Sequence, residues 1–138
     1  MARILAIDYG LKRTGLAVTD PLQIIAGALT TVETPQLFNF LKDYFKKEPV
    51  ELIIIGDPRN LDDSDTHATP HVRKVVERLK KEFPAIPVVP VDERYSSKMA
   101  KGAMIEMGMK KMQRRDKSMV DRIAATIILQ EYMERNSL

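Results

Sequence analysis

Cysteine is absent from this 138-residue chain, which excludes disulfides, a thiol nucleophile and a thiolate zinc centre. Any catalytic metal must therefore be held by oxygen or imidazole, and the chain has just 2 histidines. No apolar run is long enough to span a bilayer. No signal-like segment precedes the first strand-like run, so a cytoplasmic protein without membrane contact is expected. Low-complexity linkers and internal repeats are missing as well. One domain over residues 1–138 is expected, and 44% hydrophobic residues are enough for a real core.

A net charge of +3 is compatible with nucleic acid but decides little by itself, because many basic proteins never touch it. Distribution says more than the total. Lys110, Lys111, Arg114, Arg115 and Lys117 crowd one stretch after Gly108, with Lys98 and Lys101 just upstream. Such a run is often only a solvated face. Its position immediately before Asp121 favours nucleic-acid contact.

Period and punctuation give the elements. Arg3–Asp8, Gly15–Thr19 and Ala28–Val32 read as three strands of an antiparallel meander. Pro35–Lys47 places Leu37, Phe38, Leu41, Tyr44 and Phe45 at helical spacing, with Thr34 as N-cap and Pro35 at the first helical position. The unbroken run Leu52–Ile55 predicts a buried strand ended by Gly56. A helix follows from Thr69 to Phe83, its buried side formed by Val72, Val75, Val76 and Leu79, and Pro84 and Pro87 stop it. Val88–Val91 is a short strand. Ser96 or Ser97 caps a helix through Met107, residues 108–116 form a polar loop, and Lys117 to about Arg135 is the last helix. Three antiparallel strands followed by two helix-linked strands predict an α/β fold, a mixed sheet with helices on its faces.

Three carboxylates stand where such a fold can gather them. Asp8 ends the first strand, Glu93 follows the strand Val88–Val91, and Asp121 opens the apolar part of the last helix. Hard divalent cations take oxygen ligands, and a pair of them can clamp both oxygens of an in-line phosphodiester displacement. The pattern reads as a nuclease. Asp8 precedes a glycine at the carboxyl edge of a strand, where ligands bind in open sheets, although strand-end aspartates also simply start turns. Alternation sends Asp92 and Glu93 to opposite sides, so one of them faces the site. Asp121 shares a helix face with Ala124, Ala125 and Ile128, whose small alanines allow close approach to the sheet. It reads equally as an acid that favours the helix dipole.

Asp8-Tyr9-Gly10 followed by Arg13-Thr14-Gly15 has the form of a strand, a glycine-bounded turn and a second strand, and the glycines let the backbone approach a phosphate. With Asp92-Glu93-Arg94 and Ser96-Ser97, then Val120-Asp121, Ala124-Ala125 and Ile127-Ile128-Leu129-Gln130, the chain resembles the YqgF-type family in order over nearly its whole length. Those proteins are Holliday-junction-resolvase-like, have a ribonuclease-H-like fold and are regarded as pre-16S ribosomal RNA nucleases. The resemblance implies a five-stranded sheet of order 3-2-1-4-5. It also implies that Asp8, Glu93 and Asp121 are the catalytic metal ligands, with the glutamate rather than Asp92 in the site.

On that basis a metal-activated water would hydrolyse the phosphodiester, with Asp8 bridging two Mg²⁺ or Mn²⁺ ions and Glu93 and Asp121 completing one each. Lys12, Arg13, Arg94, Lys110, Lys111, Arg114 and Arg115 would position the backbone without reading bases, and Ser97 would add a hydroxyl contact. Arg94 would equally serve to neutralise Asp92. The expected partner is nucleic acid, either a ribosomal RNA precursor, with association to the pre-ribosome, or branched DNA, for a monomer or weak homodimer. A junction resolvase needs a symmetric dimer, and no feature of the sequence specifies one. A non-catalytic RNA-binding assembly factor on the same scaffold is the rival reading; an actin-like ATPase would need two such domains and fits the length poorly.

Other candidates are weaker. His67 and His71 are four apart but read better as a surface pair than as ligands. Asp57, Asp62, Asp63 and Asp65 make an acidic loop, and Asp57 departs from the small or apolar residue the family usually carries there. A fourth carboxylate near the site and simple loop variation both stay open. Met99, Met104 and Met107 read as core filler.

Overall fold

The computed structural model describes residues 2–57, 69–92 and 117–136, with the side chains at 57, 69, 92, 117–122 and 136 left out of that description. Its elements are β1 (Arg3–Asp8), β2 (Arg13–Thr19), β3 (Ala26–Glu33), α1 (Leu37–Lys47), β4 (Val50–Asp57), α2 (Thr69–Glu82), β5 (Val88–Asp92) and α3 (Lys117–Asn136). The strands form a five-stranded sheet of order β3-β2-β1-β4-β5. β1–β2 and β2–β3 are antiparallel, while β1–β4 and β4–β5 are parallel, the last pair joined by the crossover through α2.

Two layers follow from alternation along β1 and β4, the central strands. Leu5, Ile7, Ile53 and Ile55 point to one side and pack with Leu37, Phe38 and Leu41 of α1 and Val72, Val75 and Leu79 of α2. Ile4, Ala6 and Ile54 point to the other and pack with Ala125, Ile128 and Leu129 of α3. Both faces are covered, which is why Ile53-Ile54-Ile55 is apolar without a break. β5 alternates likewise, with Val88 in the first layer and Val91 in the second. α1 and α2 are tied to each other by the Phe45–Phe83 edge contact (centroids 4.8 Å apart), by the Lys42–Glu82 pair at 3.2 Å, and by the Arg78 guanidinium over the Phe38 ring.

Three expectations need correction. β2 and β3 are longer than the apolar pattern indicates, because Arg13 pairs with Glu33 and Thr14 with Val32 at one end and Thr19 with Ala26 at the other. Gly56 does not end β4: it pairs with Val91 and Asp57 with Asp92, so the parallel ladder to β5 carries the strand past the apolar run. Thr34 does not cap α1. A 3-10 turn, Thr34–Gln36, precedes the helix, and no side chain caps its start. The Thr34 hydroxyl is used elsewhere, as described below. The helix expected over residues 96–107, the loop at 108–116, the acidic residues 62, 63 and 65, and His67 lie outside the described residues.

Candidate functional site

Asp8 is the last residue of β1, the strand at the centre of the sheet. Because Ile4 and Ala6 face α3, alternation puts Asp8, two residues on, on that same side at the carboxyl edge. It is half-buried. In the register Asp8 stands opposite Gly15 of β2, and Gly15 stands opposite Thr31 of β3. On the other flank β1 runs beside β4 with Ile7 opposite Ile55, so the next β4 residue, Gly56, comes alongside. Glycine therefore stands beside Asp8 on both neighbouring strands. The sequence marked Gly56 only as a strand end; the register gives it this place.

The direction of α3 brings a second predicted ligand to the same end of the sheet. Tyr132 and Met133, near the end of α3, pack with Ile4 and Ala26, at the amino end of β1. From Ile4 to Asp8 the strand advances about 13 Å. Twelve residues back from Met133, at about 1.5 Å each, the helix covers about 18 Å. α3 lies over β1, β2 and β3 and runs against β1, so its amino-terminal part, which carries Asp121, is directed towards the carboxyl edge where Asp8 stands. Ala124 and Ala125 are fully buried, as a helix face pressed close to a sheet demands.

The connection from β1 to β2 is held from below by hydroxyls. The Thr34 hydroxyl donates to the Gly10 carbonyl at 2.5 Å, and Thr14 and Thr34 share a hydroxyl–hydroxyl bond at 3.0 Å. The Thr34 amide donates to the Lys12 carbonyl at 3.0 Å. A side chain at Gly10 would collide with the Arg13 carbonyl, so only glycine allows the turn to close this tightly. Lys12 is exposed on the turn. Arg13 is half-buried and shares the parity of Gly15, which puts it on the Asp8 side of the sheet. The sequence indicated the glycine turn and its two cations. It did not reveal the threonine clamp, whose partners are separated by 20 and 24 positions.

Of the three predicted metal ligands, Asp8 has a described side chain, Asp121 is placed by its helix backbone alone, and Glu93 lies outside the described residues. Arg94, Ser97, Lys110, Lys111, Arg114 and Arg115 lie outside them too. Among the described residues no group of three or more histidine, aspartate or glutamate side chains is gathered to hold a metal, and no helix is long and apolar enough to cross a membrane. What the described part offers is a half-buried carboxylate between two glycines, a clamped turn carrying Lys12, and Arg13 on the carboxylate's side. A half-buried carboxylate at the edge of the central strand, with Arg13 on its side of the sheet and Lys12 on the adjoining turn, suits a hard cation and an approaching phosphate.

Comparison with known proteins agrees with this architecture. The RuvX family, described as Holliday junction resolvase, matches residues 2–135. A Christiangramia forsetii protein named "Putative pre-16S rRNA nuclease" is 53% identical over 133 residues, covering 96% of this chain and 98% of the relative. A Porphyromonas gingivalis protein of the same name is 52% identical over 134 residues, covering 97% of each. Among solved structures, Thermus thermophilus RuvC in complex with a Holliday junction superposes with a TM-score of 0.56 at 16% identity, covering 98% of this chain and 95% of that one. Fowlpox virus resolvase with junction DNA gives 0.59 at 15%, covering 96% and 97%. Those likenesses establish the ribonuclease-H-like fold of the resolvases, with the sheet order and strand directions found here. The chain belongs to the RuvX family of nucleases, the YqgF-type proteins.

Proposed function

We propose that this chain is a metal-dependent nuclease that hydrolyses phosphodiester bonds of structured nucleic acid, and that its substrate is the precursor of 16S ribosomal RNA, cut near its 5′ end. The observation that carries the reading is Asp8, half-buried at the carboxyl edge of the central strand between Gly15 and Gly56. The names carried by relatives about 50% identical along the whole chain support the substrate.

Asp8, Asp121 and Glu93 are the proposed ligands. Glu93 is preferred to Asp92 because the resemblance to the YqgF-type family puts the glutamate in the site. When bound, Mg²⁺ or Mn²⁺ supplies an acidified water and neutralises charge on the phosphate. The chain's own part is positional. Asp8 would hold the ion at the strand edge, and Lys12 and Arg13 would hold the phosphate oxygens. Arg94, Ser97 and the basic stretch Lys110, Lys111, Arg114 and Arg115 extend that grip along the backbone.

Cleavage of a four-way DNA junction is the second reading, favoured by the family's description and by two like folds solved with junctions. Parallel cleavage assays with Mg²⁺ on a 16S precursor fragment and on a four-way DNA junction separate the two. Preferential cutting of the RNA supports the proposal, preferential cutting of the junction replaces its substrate, and binding of RNA without metal-stimulated cutting of either overturns the nuclease reading.

A further inference from the structure

At the opposite end of the sheet from Asp8, the β2–β3 turn presents large aliphatic side chains to solvent. Leu22, Ile24 and Ile25 are 57%, 66% and 69% exposed. The turn is fixed in place. The Asp20 carboxylate accepts the amides of Ile24 and Ile25 at 2.7 and 2.8 Å, and the Gln23 amide donates to the Asp20 carbonyl at 2.9 Å. Gln23 sits in the left-handed region at φ 58°, and its side chain reaches the Ala2 carbonyl at 2.9 Å and Glu51. A turn tied down at this many points holds its isoleucines outward as a defined surface.

Ile24 and Ile25 form one wall of a groove of about 630 Å³, with Ile4 and Ala26 below and Gln130, Tyr132, Met133 and Glu134 of α3 opposite. Among the described residues no lysine or arginine lines it. The charged group among its lining residues is the Glu134 carboxylate, and two more carboxylates stand beside the groove: Asp20, which anchors its isoleucines, and Glu51, which touches Gln23. Asp20 stays ionised, since the Ile25 amide above all holds its carboxyl below the usual aspartate range. Two described cations near it have carboxylates of their own, Arg3 with Glu48 at 3.3 Å and Arg135 with Glu131 at 4.0 Å.

We propose that this groove docks a basic polypeptide partner, a segment with aliphatic anchors flanked by lysine or arginine. Charge complementarity selects that occupant. A carboxylate rim repels the phosphates of nucleic acid and of anionic lipid. A second copy docking face to face would bring two acidic rims together, because a two-fold interface uses the same patch twice. Asp8 is at the far end of β1, so an occupied groove leaves the proposed site open to substrate. The inference stands apart from the nuclease reading, because its test measures binding and not cleavage.

The test uses the full-length protein and three labelled peptides: alternating leucine and lysine, alternating leucine and glutamate, and alternating glycine and lysine. Fluorescence anisotropy should show the leucine–lysine peptide binding at least about tenfold more tightly than either other peptide. Replacing both isoleucines (Ile24→Asp with Ile25→Asp) should weaken it by about tenfold or more with an unchanged melting temperature, since the lost groups are exposed. Glu134→Lys, on a different element, should weaken the leucine–lysine peptide and strengthen the leucine–glutamate one. Equal binding of the leucine–lysine and glycine–lysine peptides, or binding indifferent to all three substitutions, overturns the proposal. So does a concentration-dependent dimer, or attachment to anionic vesicles, that the isoleucine replacements abolish.

Discussion

Single residues at the carboxyl edge do different kinds of work. Asp8 brings charge, Gly15 and Gly56 stand beside it on the neighbouring strands, and Thr34 fixes the turn between them and the basic side chains. Thr34→Val keeps the shape of the side chain but removes the donor to Gly10 and the partner of the fully buried Thr14 hydroxyl. The expected cost is about 1–3 kcal/mol in chemical denaturation, with Thr34→Ser recovering most of it. Because the clamp holds the turn bearing Lys12, the valine variant should also bind nucleic acid more weakly than its stability loss alone explains. Asp8 could be singled out from the sequence because an acid after four apolar residues and two before a glycine marks the carboxyl edge of a strand, where ligands bind in open sheets. Thr34 and Gly56 could not. A threonine before a proline is the ordinary signal for a helix cap, and a glycine after an apolar run is the ordinary signal for a strand end. Tertiary partners distant in sequence decided both.

At the scale of elements, alternation and helical period carried most of the information, because each strand or helix has a face that must be buried. β4 was recognisable from Ile53-Ile54-Ile55, covered on both faces, and the buried side of α2 from Val72, Val75 and Leu79. Strand ends were not, since the ladder bonds that extend β2, β3 and β4 are made by Arg13, Thr14 and Asp57, residues with no apolar signature. The seat of α3 depends on small residues against the sheet. Ala125→Leu should overpack that layer and cost about 1–3 kcal/mol by thermal or chemical unfolding, because Ala125 is fully buried against the layer of Ala6 and Ala17. The β2–β3 turn has a pH signature. The Ile25 and Ile24 amides lower the Asp20 carboxyl from its ordinary 3.8, so its contribution is complete above that value and is lost as pH falls through the lower folded value. Unfolding followed from pH 6 to pH 2 should show a shallower acid limb in Asp20→Asn than in the parent.

The whole molecule is polarised along β1: the proposed nuclease site lies at one end of the sheet, and an acid-rimmed apolar groove at the other. Fold and family could be read from motif order, because the motifs follow the chain order of the strands and last helix of one sheet. The site could be read only in outline, since sequence gives the ligand types and the register gives what stands beside them. If the stretch with Lys110, Lys111, Arg114 and Arg115 neutralises phosphates, changing all four to alanine should weaken binding to every nucleic acid by similar factors. It should also flatten the salt dependence by roughly 0.7 to 0.9 in slope for each lost contact. An unchanged slope would mean that the stretch is a solvated face. The central claim is that Asp8 is a catalytic carboxylate at a metal-dependent phosphodiesterase site. It is tested most directly by single-turnover cleavage of a 16S precursor fragment with Mg²⁺, comparing the parent protein with Asp8→Asn at matched purity and matched melting temperature. The account predicts metal-stimulated cutting by the parent and a loss in the variant greater than the roughly hundredfold typical of losing an outer-shell metal partner. Undiminished cutting by a folded Asp8→Asn protein, or cutting by the parent that survives exhaustive chelation, would contradict it.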